Sequence, residues 1–417
     1  MTAEHPAWIA VCEAPFLPTR DGGQREHHGL VRALADRGML AALVICSRGP
    51  LDAAPYRVAF GGPDGAGGDL PVVGVARRRS PDAHARPRTP FVWASRRPSA
   101  AVLAGLRALT APGGPGGTPD GVLACSFKSA ELATAIAAPR ELPVVVRQHN
   151  VESRYHRDLG AARGGPARAY FRWEAARIAR AERAMARTPG IVGQAEISGV
   201  DLAARAVGEH QRSALVPPLA VDFSVPPGPA DGRSGVLFLG ALDVATNQHA
   251  LRWFLERVWP AVRAARPDAR VTVAGRRPDA AFGAWLEGRA GVEVAYDVAD
   301  PRRLMDRALV AVNPTVSGSG VNIKLLEYAA AGAAVVTTPR ATAGLPPLAP
   351  GVLVEAESPA EFADGVLWAL DHPGDAAALG HACATEFRAR LDADRALDRL
   401  VHLMRHEESP ACLPSRS

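Results

Sequence analysis

The stretch NPTVSGSGVNIKLLEYAAAGAAVVTTP, residues 313–339, decides the fold class of this chain. The apolar residues 309–312 at its start predict a buried strand, and residues 321–331 have the apolar spacing of a helix that ends at Gly332. A second strand is predicted to begin at Val335. A strand, a glycine turn, a helix and another strand in this order are typical of a parallel sheet covered by helices.

The turn in this stretch predicts an anion site. Gly318 and Gly320 allow backbone N–H groups to approach a ligand closely, and a helix N-terminus carries roughly half a positive charge. Lys324 lies early in the predicted helix, and lysine is otherwise found only at Lys128 among 48 lysines and arginines. We predict that Lys324 meets a diphosphate and that Glu327 accepts hydrogen bonds from ribose hydroxyls, both as surface residues. A solvated pair on an ordinary helix is the alternative.

The composition is that of a globular protein with two domains. Of the 417 residues, 47% are hydrophobic and 22% are charged. No apolar run approaches the roughly 18 residues of a membrane span, and residues 1–10 lack a signal-peptide pattern. The five cysteines include no C-x-x-C pair, so we expect a cytoplasmic protein without a zinc site or disulfide framework. The net charge of +5 is spread as arginine and does not imply nucleic-acid binding.

Strand and helix patterns alternate along the chain. In the first half we predict strands at 8–12, 40–46, 72–75, 122–125, 143–147 and 191–192, and helices at 27–38 and 130–137. In the second half we predict strands at 236–239, 270–274 and 292–295, and helices at 250–265, 359–370, 375–391 and 393–406. The carboxyl edge of the first sheet would carry Gly22, Gly23 and His149.

These patterns predict the domain boundaries. Residues 226–234 are rich in Pro, Gly and Ser and separate the two alternating regions. We predict an N-terminal domain at 1–218, a linker at 219–234 and a C-terminal domain at 235–392. The segment 393–417 would contribute a last helix that is free to pack back on the first domain, followed by a tail.

Two segments of the first half are arginine-rich. Residues 77–97 contain seven arginines and one acid, with Phe91 and Trp93 among them, and residues 163–187 form a second basic segment that is predicted to be helical from about Ala167. Either segment could contact an anionic membrane surface or an anionic lipid acceptor. The alternative is a solvated arginine face paired with Glu174 and Glu182.

Two α/β domains with a loop of glycine, lysine and carboxylate late in the second resemble the GT-B glycosyltransferases, in particular the large retaining group called family 4. The most specific blocks are GVLFLGALD at 235–243, VAGRRP at 273–278 and GSGVNIKLLE at 318–327. In the first half, DGG at 21–23 and RQHNVE at 147–152 look like that group's glycine loop and post-strand histidine segment. The implied fold is two Rossmann-like domains whose parallel sheets face across a central cleft.

The resemblance implies a hexosyltransferase or a related transferase. The second domain would bind the nucleotide-sugar donor and the first the acceptor hydroxyl, with reaction in the cleft, retention of anomeric configuration and no metal or cofactor. Lipid-linked, polysaccharide and small-molecule acceptors all remain open, as does peripheral contact with the inner face of the membrane. A GT-B sugar-nucleotide epimerase and a non-catalytic nucleotide-sugar-binding protein are the alternative functions.

The chain departs from the family pattern in two places. The family has two glutamates separated by seven residues; Glu327 matches the second, but Ser319 stands at the first. The usual basic pair after the first strand of the second domain is also missing, with Ala241 and Thr246 near those places. We therefore predict that Arg276 and Lys324 form the diphosphate clamp, with a strand-end cap at Arg276 and a solvated Arg277 as the alternative. Either backbone N–H groups of Ser319 and Gly320 replace the absent carboxylate, or the donor sugar is recognised in a different way.

The resemblance also assigns residues around these groups. His149 stands where the family has a histidine facing the donor sugar, and it is predicted to help stabilise charge at the anomeric carbon, with a structural role as the alternative. Glu152 is suited equally to contact the acceptor or to cap a helix N-terminus. The remaining predicted donor residues are Gly318, Val321, Asn322, Gly240, Asn247 and Val298, and the remaining acceptor-side residues are Gly22, Gly23 and Asn150.

Overall fold

The computed structural model describes residues 6–61, 70–78, 84, 86–113, 117–161, 163–205, 207–316 and 320–405. By their contacts the described residues form two compact units. Unit 1 takes in those within Met1–Leu17, His27–Leu219 and Ala393–Ser417, and unit 2 takes in Pro18–Glu26 and Ala220–Asp392. The loop and first helical residues at 18–26 thus belong by contact to unit 2.

Unit 1 contains a parallel sheet. Its strands are β1 (Trp8–Cys12), β2 (Leu40–Ser47), β3 (Val72–Ala76), β4 (Gly121–Ala124), β5 (Val144–Gln148), β6 (Ile191–Glu196) and β7 (Arg212–Leu215). Within the described residues their order across the sheet is β3-β2-β1-β4-β5-β6-β7. Every residue of β1 is buried, as expected for a central strand that helices cover on both faces.

The helices of this half lie between the strands. They are α1 (Gly22–Asp36), α2 (Ala54–Phe60), α3 (Phe91–Ala94), α4 (Ala100–Ala108), α5 (Ala130–Ala137), α6 (Glu152–Ala161), α7 (Gly165–Met185) and α8 (Gly199–Ala204), with short 3₁₀ turns at Phe127–Ser129 and Ala138–Arg140. The prediction that α1 begins at His27 is wrong. The Asp21 side chain accepts a hydrogen bond from the Gln24 N–H at 2.9 Å, and this cap brings the glycine pair into the first turn.

Unit 2 contains a second parallel sheet. Its strands are β8 (Ser234–Leu239), β9 (Val271–Gly275), β10 (Val292–Tyr296), β11 (Ala308–Asn313), β12 (Ala334–Thr337) and β13 (Val354–Glu355). In the described part of the chain they are ordered β10-β9-β8-β11-β12-β13. The predicted α/β class, with two Rossmann-like parallel sheets, is therefore confirmed.

Helices of unit 2 follow the same alternation. They are α9 (Ala245–Trp253), α10 (Trp259–Ala265), α11 (Ala280–Glu287), α12 (Pro301–Arg307), α13 (Ile323–Ala331), α14 (Pro339–Thr342), α15 (Pro359–Asp371) and α16 (Pro373–Arg390). The helix predicted at 250–265 is helical throughout, but it begins earlier, at Ala245, and contains a π turn at Phe254–Val258 that joins α9 to α10. Pro260 lacks the N–H that an unbroken helix would use, which favours a change of hydrogen-bonding register upstream.

The last helix, α17 (Ala393–Met404), belongs to unit 1. The Arg37 guanidinium pairs with Asp394 at 2.8 Å and with Asp398 at 2.7 Å. Leu397 and Leu400 are buried in the core that also contains β1. Both charge pairs and apolar burial therefore attach this helix to the first sheet.

The segment from Ala308 to Thr337 forms β11, α13 and β12. Gly332 ends α13 in the left-handed conformation with φ 75°, which glycine adopts without strain. The carbonyl of Gly332 lies against Gly380 of α16, where a Cβ atom would overlap the carbonyl oxygen. Residues 317–319 lie outside the described residues, so Gly318 and Ser319 receive no structural description.

We expect Gly380→Ala to destabilise the protein by about 1–3 kcal/mol, the usual cost of overpacking a tight site. Gly374→Ala in the same helix is the matched control, because no atom lies within 4 Å of its Cβ position. The control should be neutral or stabilising by up to about 1 kcal/mol, since alanine favours helices. Denaturant unfolding followed by circular dichroism measures both. Equal stability of the two variants would contradict the assigned packing of α16 on α13.

Candidate functional site

Lys324 is held at the carboxyl end of β8. Its Nζ donates a hydrogen bond to Asn247 Oδ1 at 2.7 Å and lies 4.4 Å from the centre of the buried Phe238 ring. A Cβ atom at Gly240 would come within 3.1 Å of this Nζ. The structure thus brings together three predicted donor residues, Gly240, Asn247 and Lys324, and adds an aromatic wall that sequence reasoning missed.

This environment changes the proton affinity of the lysine. Burial lowers the pKa of Lys324 to about 8, and the nearby Glu327 carboxylate only partly offsets the effect. The ammonium has an amide oxygen and an aromatic face as neighbours. An incoming anion would therefore meet a poorly solvated cation, which strengthens their attraction.

Glu327 is buried, contrary to the expectation that it is a surface residue. Only 9% of the residue is exposed, and its Oε1 pairs with the guanidinium of Arg25 in α1. Burial raises the pKa of Glu327, while Arg25 and Lys324 act to lower it. The Glu327 carboxylate, which is predicted to bind ribose, is therefore already oriented by Arg25, a residue that sequence reasoning missed.

Arg276 is also engaged. It follows β9, and its Nε lies 2.8 Å from Asp243 Oδ2, while its Nη1 lies 3.9 Å from Asp21 Oδ2. A Cβ atom at Gly275 would overlap the Gly240 carbonyl oxygen, so the ends of β8 and β9 approach closely. The structure places Arg276 in this strand-end cluster, where two carboxylates balance its charge.

The described remainder of the glycine loop leads into α13. Gly320 has φ 83°, and Asn322 precedes the helix without a side-chain cap. The Asn322 side chain instead accepts a hydrogen bond from Thr315 Oγ1 at 3.3 Å. The Asn322 side chain therefore does not cap the first N–H groups of α13. An anion site at a helix N-terminus requires such uncapped N–H groups.

Two further predicted donor residues, Val321 and Val298, pack as partly buried side chains on the apolar core around α13. Tyr328 of α13 is hydrogen-bonded to the end of β8. Its hydroxyl accepts from the Leu239 N–H at 2.6 Å and donates to the Leu239 carbonyl at 3.2 Å. This pair of bonds ties α13 to the end of β8, and thereby sets Lys324 beside Gly240.

In unit 1, His149 follows β5 and lies in a cluster that sequence reasoning missed. Its ring centre is 5.1 Å from that of His27, and His27 Nε2 lies 2.6 Å from Glu13 Oε2. Burial lowers the pKa of His149 well below the usual value, and the neighbouring His27 acts in the same direction. His149 is therefore neutral at physiological pH and suited to hydrogen bonding.

The Glu13, His27 and His149 side chains have potential metal-ligand atoms within 4.8 Å of one another. Sequence reasoning found no metal-ligand cluster, because these residues come from three separate parts of the chain. The short Glu13–His27 contact already uses one ligand atom of each residue. The arrangement thus forms a carboxylate-histidine pair packed against a second histidine.

The residues predicted on the acceptor side lie in different environments. Glu152 begins α6, is 2% exposed and lies 3.2 Å from Lys128 Nζ, so its carboxylate is held within the protein. The Asn150 carbonyl accepts from Arg205 Nη2 at 2.8 Å. Gly22 packs on Ile323, whose Cβ would be 2.9 Å from a Cβ at this glycine, and Gly23 occupies the first turn of α1.

The arginine-rich segments are bonded within the protein at some positions only, since four of the five arginines in α7 are exposed: Arg168, Arg172, Arg180 and Arg183. Arg177 lies 2.9 Å from Glu174 Oε2, and its guanidinium lies 4.1 Å from the centre of the Trp173 ring. Arg97 pairs with Glu131. No helix among the described residues combines the length and apolarity that crossing a bilayer would take.

Comparison with known proteins covers the region that contains Lys324, Glu327, Arg276 and Asn247. Residues 233–372 match the family model of glycosyl transferases group 1. This group 1 match includes β8 to α15, and so takes in every described donor residue predicted from the sequence. No curated protein sequence matches the chain.

Solved structures extend the likeness to the whole chain. HepE from Anabaena, in complex with UDP-glucose, has a TM-score of 0.65 at 13% identity, over 95% of this chain and 99% of that one. An α,α-trehalose 6-phosphate synthase from Burkholderia multivorans has a TM-score of 0.57 at 14% identity, over 96% and 98%. A UDP-glucosyltransferase from Polygonum tinctorium has a TM-score of 0.54 at 14% identity, over 97% and 99%. These likenesses show the GT-B fold.

The pKa of Lys324 can be measured directly, because the chain has only two lysines. After ¹³C reductive methylation, we expect one lysine resonance to titrate near pH 8 and to be absent in Lys324→Arg. The other, Lys128, should titrate above its usual range, because the Glu152 carboxylate raises its pKa. Asn247→Leu should lower the Lys324 pKa further, since the ammonium loses an oxygen acceptor.

The same shift predicts the pH dependence of stability. Between about pH 8 and about pH 10.4, the usual lysine value, the unfolded chain binds more protons at Lys324 than the folded chain. This group therefore contributes increasing stability as the pH rises through that window. If the two lysine resonances of the ¹³C-methylated protein instead titrate together at high pH, Lys324 is a solvated amine and neither its lowered pKa nor this pH dependence holds.

Proposed function

We propose that this protein is a glycosyltransferase that moves a sugar from a nucleotide-sugar donor to an acceptor hydroxyl. The observation that carries the proposal is the pairing of Lys324 with Asn247 beside Gly240, one helical turn from the buried Glu327, within the group 1 match. A poorly solvated ammonium at a helix N-terminus is suited to a diphosphate. A buried, oriented carboxylate is suited to accept hydrogen bonds from ribose.

We propose a uridine diphosphate sugar as the first donor to test, because HepE was solved with UDP-glucose. The diphosphate would lie over the start of α13, where Lys324 and the first backbone N–H groups meet it. Arg276 would complete the clamp by exchanging an Asp243 contact for a phosphate oxygen. Arg25 would keep the Glu327 carboxylate ionised for the ribose hydroxyls, since an adjacent guanidinium favours the charged form.

Transfer then depends on the leaving group and on positioning. As the bond from the anomeric carbon to the diphosphate breaks, negative charge grows on the phosphate and positive charge grows on the sugar ring. Lys324 and the helix N-terminus would stabilise the negative charge on the phosphate. The neutral imidazole of His149 would hydrogen-bond a sugar hydroxyl near the positive charge on the sugar ring. We propose retention of configuration without a metal ion, with the departing phosphate taking the acceptor proton.

Titration calorimetry with UDP tests the donor site without knowledge of the acceptor. We expect Lys324→Met and Glu327→Gln each to weaken UDP binding by about tenfold or more, because each removes a charge-assisted hydrogen bond worth about 1.5–3 kcal/mol. Arg303→Gln and Glu293→Gln are the matched controls, since their side chains are 82% and 65% exposed. Affinities of Lys324→Met and Glu327→Gln within twofold of the wild type would refute the site.

Incubation with nucleotide sugars tests the reaction. Acceptor-dependent release of UDP, with the anomeric configuration of the product read by proton NMR, is the expected result. Epimerised donor formed without an acceptor would identify an epimerase instead. Tight UDP binding with no turnover over a broad acceptor panel would identify a binding protein.

A further inference from the structure

Unit 1 contains a cavity of about 230 Å³. It lies where the end of the arginine-rich segment and α4 meet the Phe127–Ser129 turn and α5. The walls that matter here are Trp93, Arg96, Arg97, Leu103, Lys128 and Glu131. Sites for drug-sized ligands have volumes of about 300–1,000 Å³. This cavity is smaller, so it fits a small molecule or one end of a larger one.

One wall is flat and apolar. The Trp93 indole donates its Nε1–H to the Phe127 carbonyl at 2.8 Å, and its ring stacks on that of Phe127 at 5.0 Å and 30°. Leu103 and Leu132 continue this surface. Because the indole is fixed by both a hydrogen bond and a stacked ring, it presents a pre-formed face to a planar or apolar ring.

Arg96 supplies an unusual charge to the same cavity. It is 5% exposed, and its guanidinium donates to the Glu13 carbonyl at 3.1 Å and the Val92 carbonyl at 2.7 Å. Among the described residues no carboxylate lies within ion-pairing distance of it. The other two cations of the cavity differ, because Arg97 pairs with Glu131 and Lys128 lies 3.2 Å from Glu152.

The Glu13 and Glu152 carboxylates act on the Arg96 charge from beyond ion-pairing distance, so this buried guanidinium has lost water without gaining a direct ionic partner. Burial accordingly lowers the pKa of Arg96, although an arginine stays protonated in proteins. An oxyanion bound in the cavity would supply that direct partner, and bidentate contact is the geometry that a guanidinium prefers.

The cavity is linked to His149 by a chain of contacts within unit 1. Arg96 is bonded to the backbone of Glu13, whose carboxylate holds His27, and His27 packs against His149. The charge of Lys128 also acts on both Glu13 and His149. A ligand held between Trp93 and Arg96 is therefore connected through Glu13 and His27 to the histidine proposed to face the donor sugar.

We propose that this cavity binds the acceptor of the transfer, and that the acceptor end it takes is a small ring with a flat apolar face, a hydroxyl group and an oxyanion. Carboxylate and phosphate share the required chemistry. Arg96 binds the oxyanion and Trp93 stacks on the ring. The acceptor role rests on the proposed function, whereas binding of a ring-bearing oxyanion does not.

Ligand-observed NMR and calorimetry with the full chain test the proposal. The probes are 4-hydroxybenzoate, phenyl phosphate and the neutral 4-hydroxybenzamide. We expect at least one anion to bind about tenfold or more tightly than the amide, because a hydrogen bond to a charged group is worth about 1.5–3 kcal/mol. The better anion identifies the carboxylate or the phosphate source. Equal binding of the amide, or no binding of either anion, overturns the proposal.

Two variants locate the bound probe. Arg96→Gln should abolish the preference for anions, and Ala135→Leu should weaken all three probes because it fills the cavity without changing any charge. Ala135 is a partly buried lining residue, so this variant keeps the test valid if loss of the buried Arg96 prevents folding. Arg57→Gln, at an exposed position of α2, is the control and should bind as the wild type does. A folded Arg96→Gln that still prefers anions, or unchanged binding in Ala135→Leu, refutes the assigned site.

UDP titration of the same variants separates this proposal from the donor site. Arg96→Gln and Ala135→Leu should keep wild-type UDP affinity, since Arg96 and Ala135 belong to unit 1 and the donor residues to unit 2. Anion binding that is lost while UDP binding persists supports a distinct acceptor site. Failure of the wild type to bind UDP overturns the proposed function and, with it, the acceptor role.

Discussion

The desolvated ammonium of Lys324 is the constraint on which the rest of unit 2 depends. A lysine surrounded by Phe238 and Asn247 loses water, and its pKa falls to about 8 as a result. The position is possible because Gly240 leaves room for the ammonium and because Tyr328 ties α13 to the end of β8. The protein thus maintains a cation that would gain more from an anionic ligand than a solvated lysine would.

Unit 1 solves a related electrostatic problem in another way. Its buried charges are mostly paired, as Lys128 is with Glu152 and as His27 is with Glu13. His149 is kept neutral by burial and by its neighbour, which favours a role in hydrogen bonding over a role as a charged group. Arg96 departs from this pattern, with only neutral oxygens within hydrogen-bonding distance. We propose an anionic ligand as the direct ionic partner of this guanidinium.

Sequence reasoning predicted the central strands well because they are nearly continuous apolar runs, as in β1 and β11. It missed several helices of at most ten residues, which span too few turns to show a clear helical period: α2, α3, α4, α6, α8, α11, α12 and α14. It placed the start of α1 too late, since a glycine pair suggests a turn unless the capping by Asp21 is recognised. It named Lys324, Glu327 and Asn247 as site residues but predicted an exposed glutamate, because burial of a carboxylate depends on a partner such as Arg25, which is distant in the sequence.

The sequence by itself determined the alternating α/β pattern, the glycine turn and the rarity of lysine, because each of these is a local or compositional property. Only the tertiary structure decided which charges are buried and which partners they have. Arg25 reaches Glu327, Arg276 reaches Asp243, and the segment ending at Glu13 meets His27 and Arg96. Such pairings join residues far apart in the chain, and their strength depends on distance and on excluded water, neither of which is written in the order of the residues.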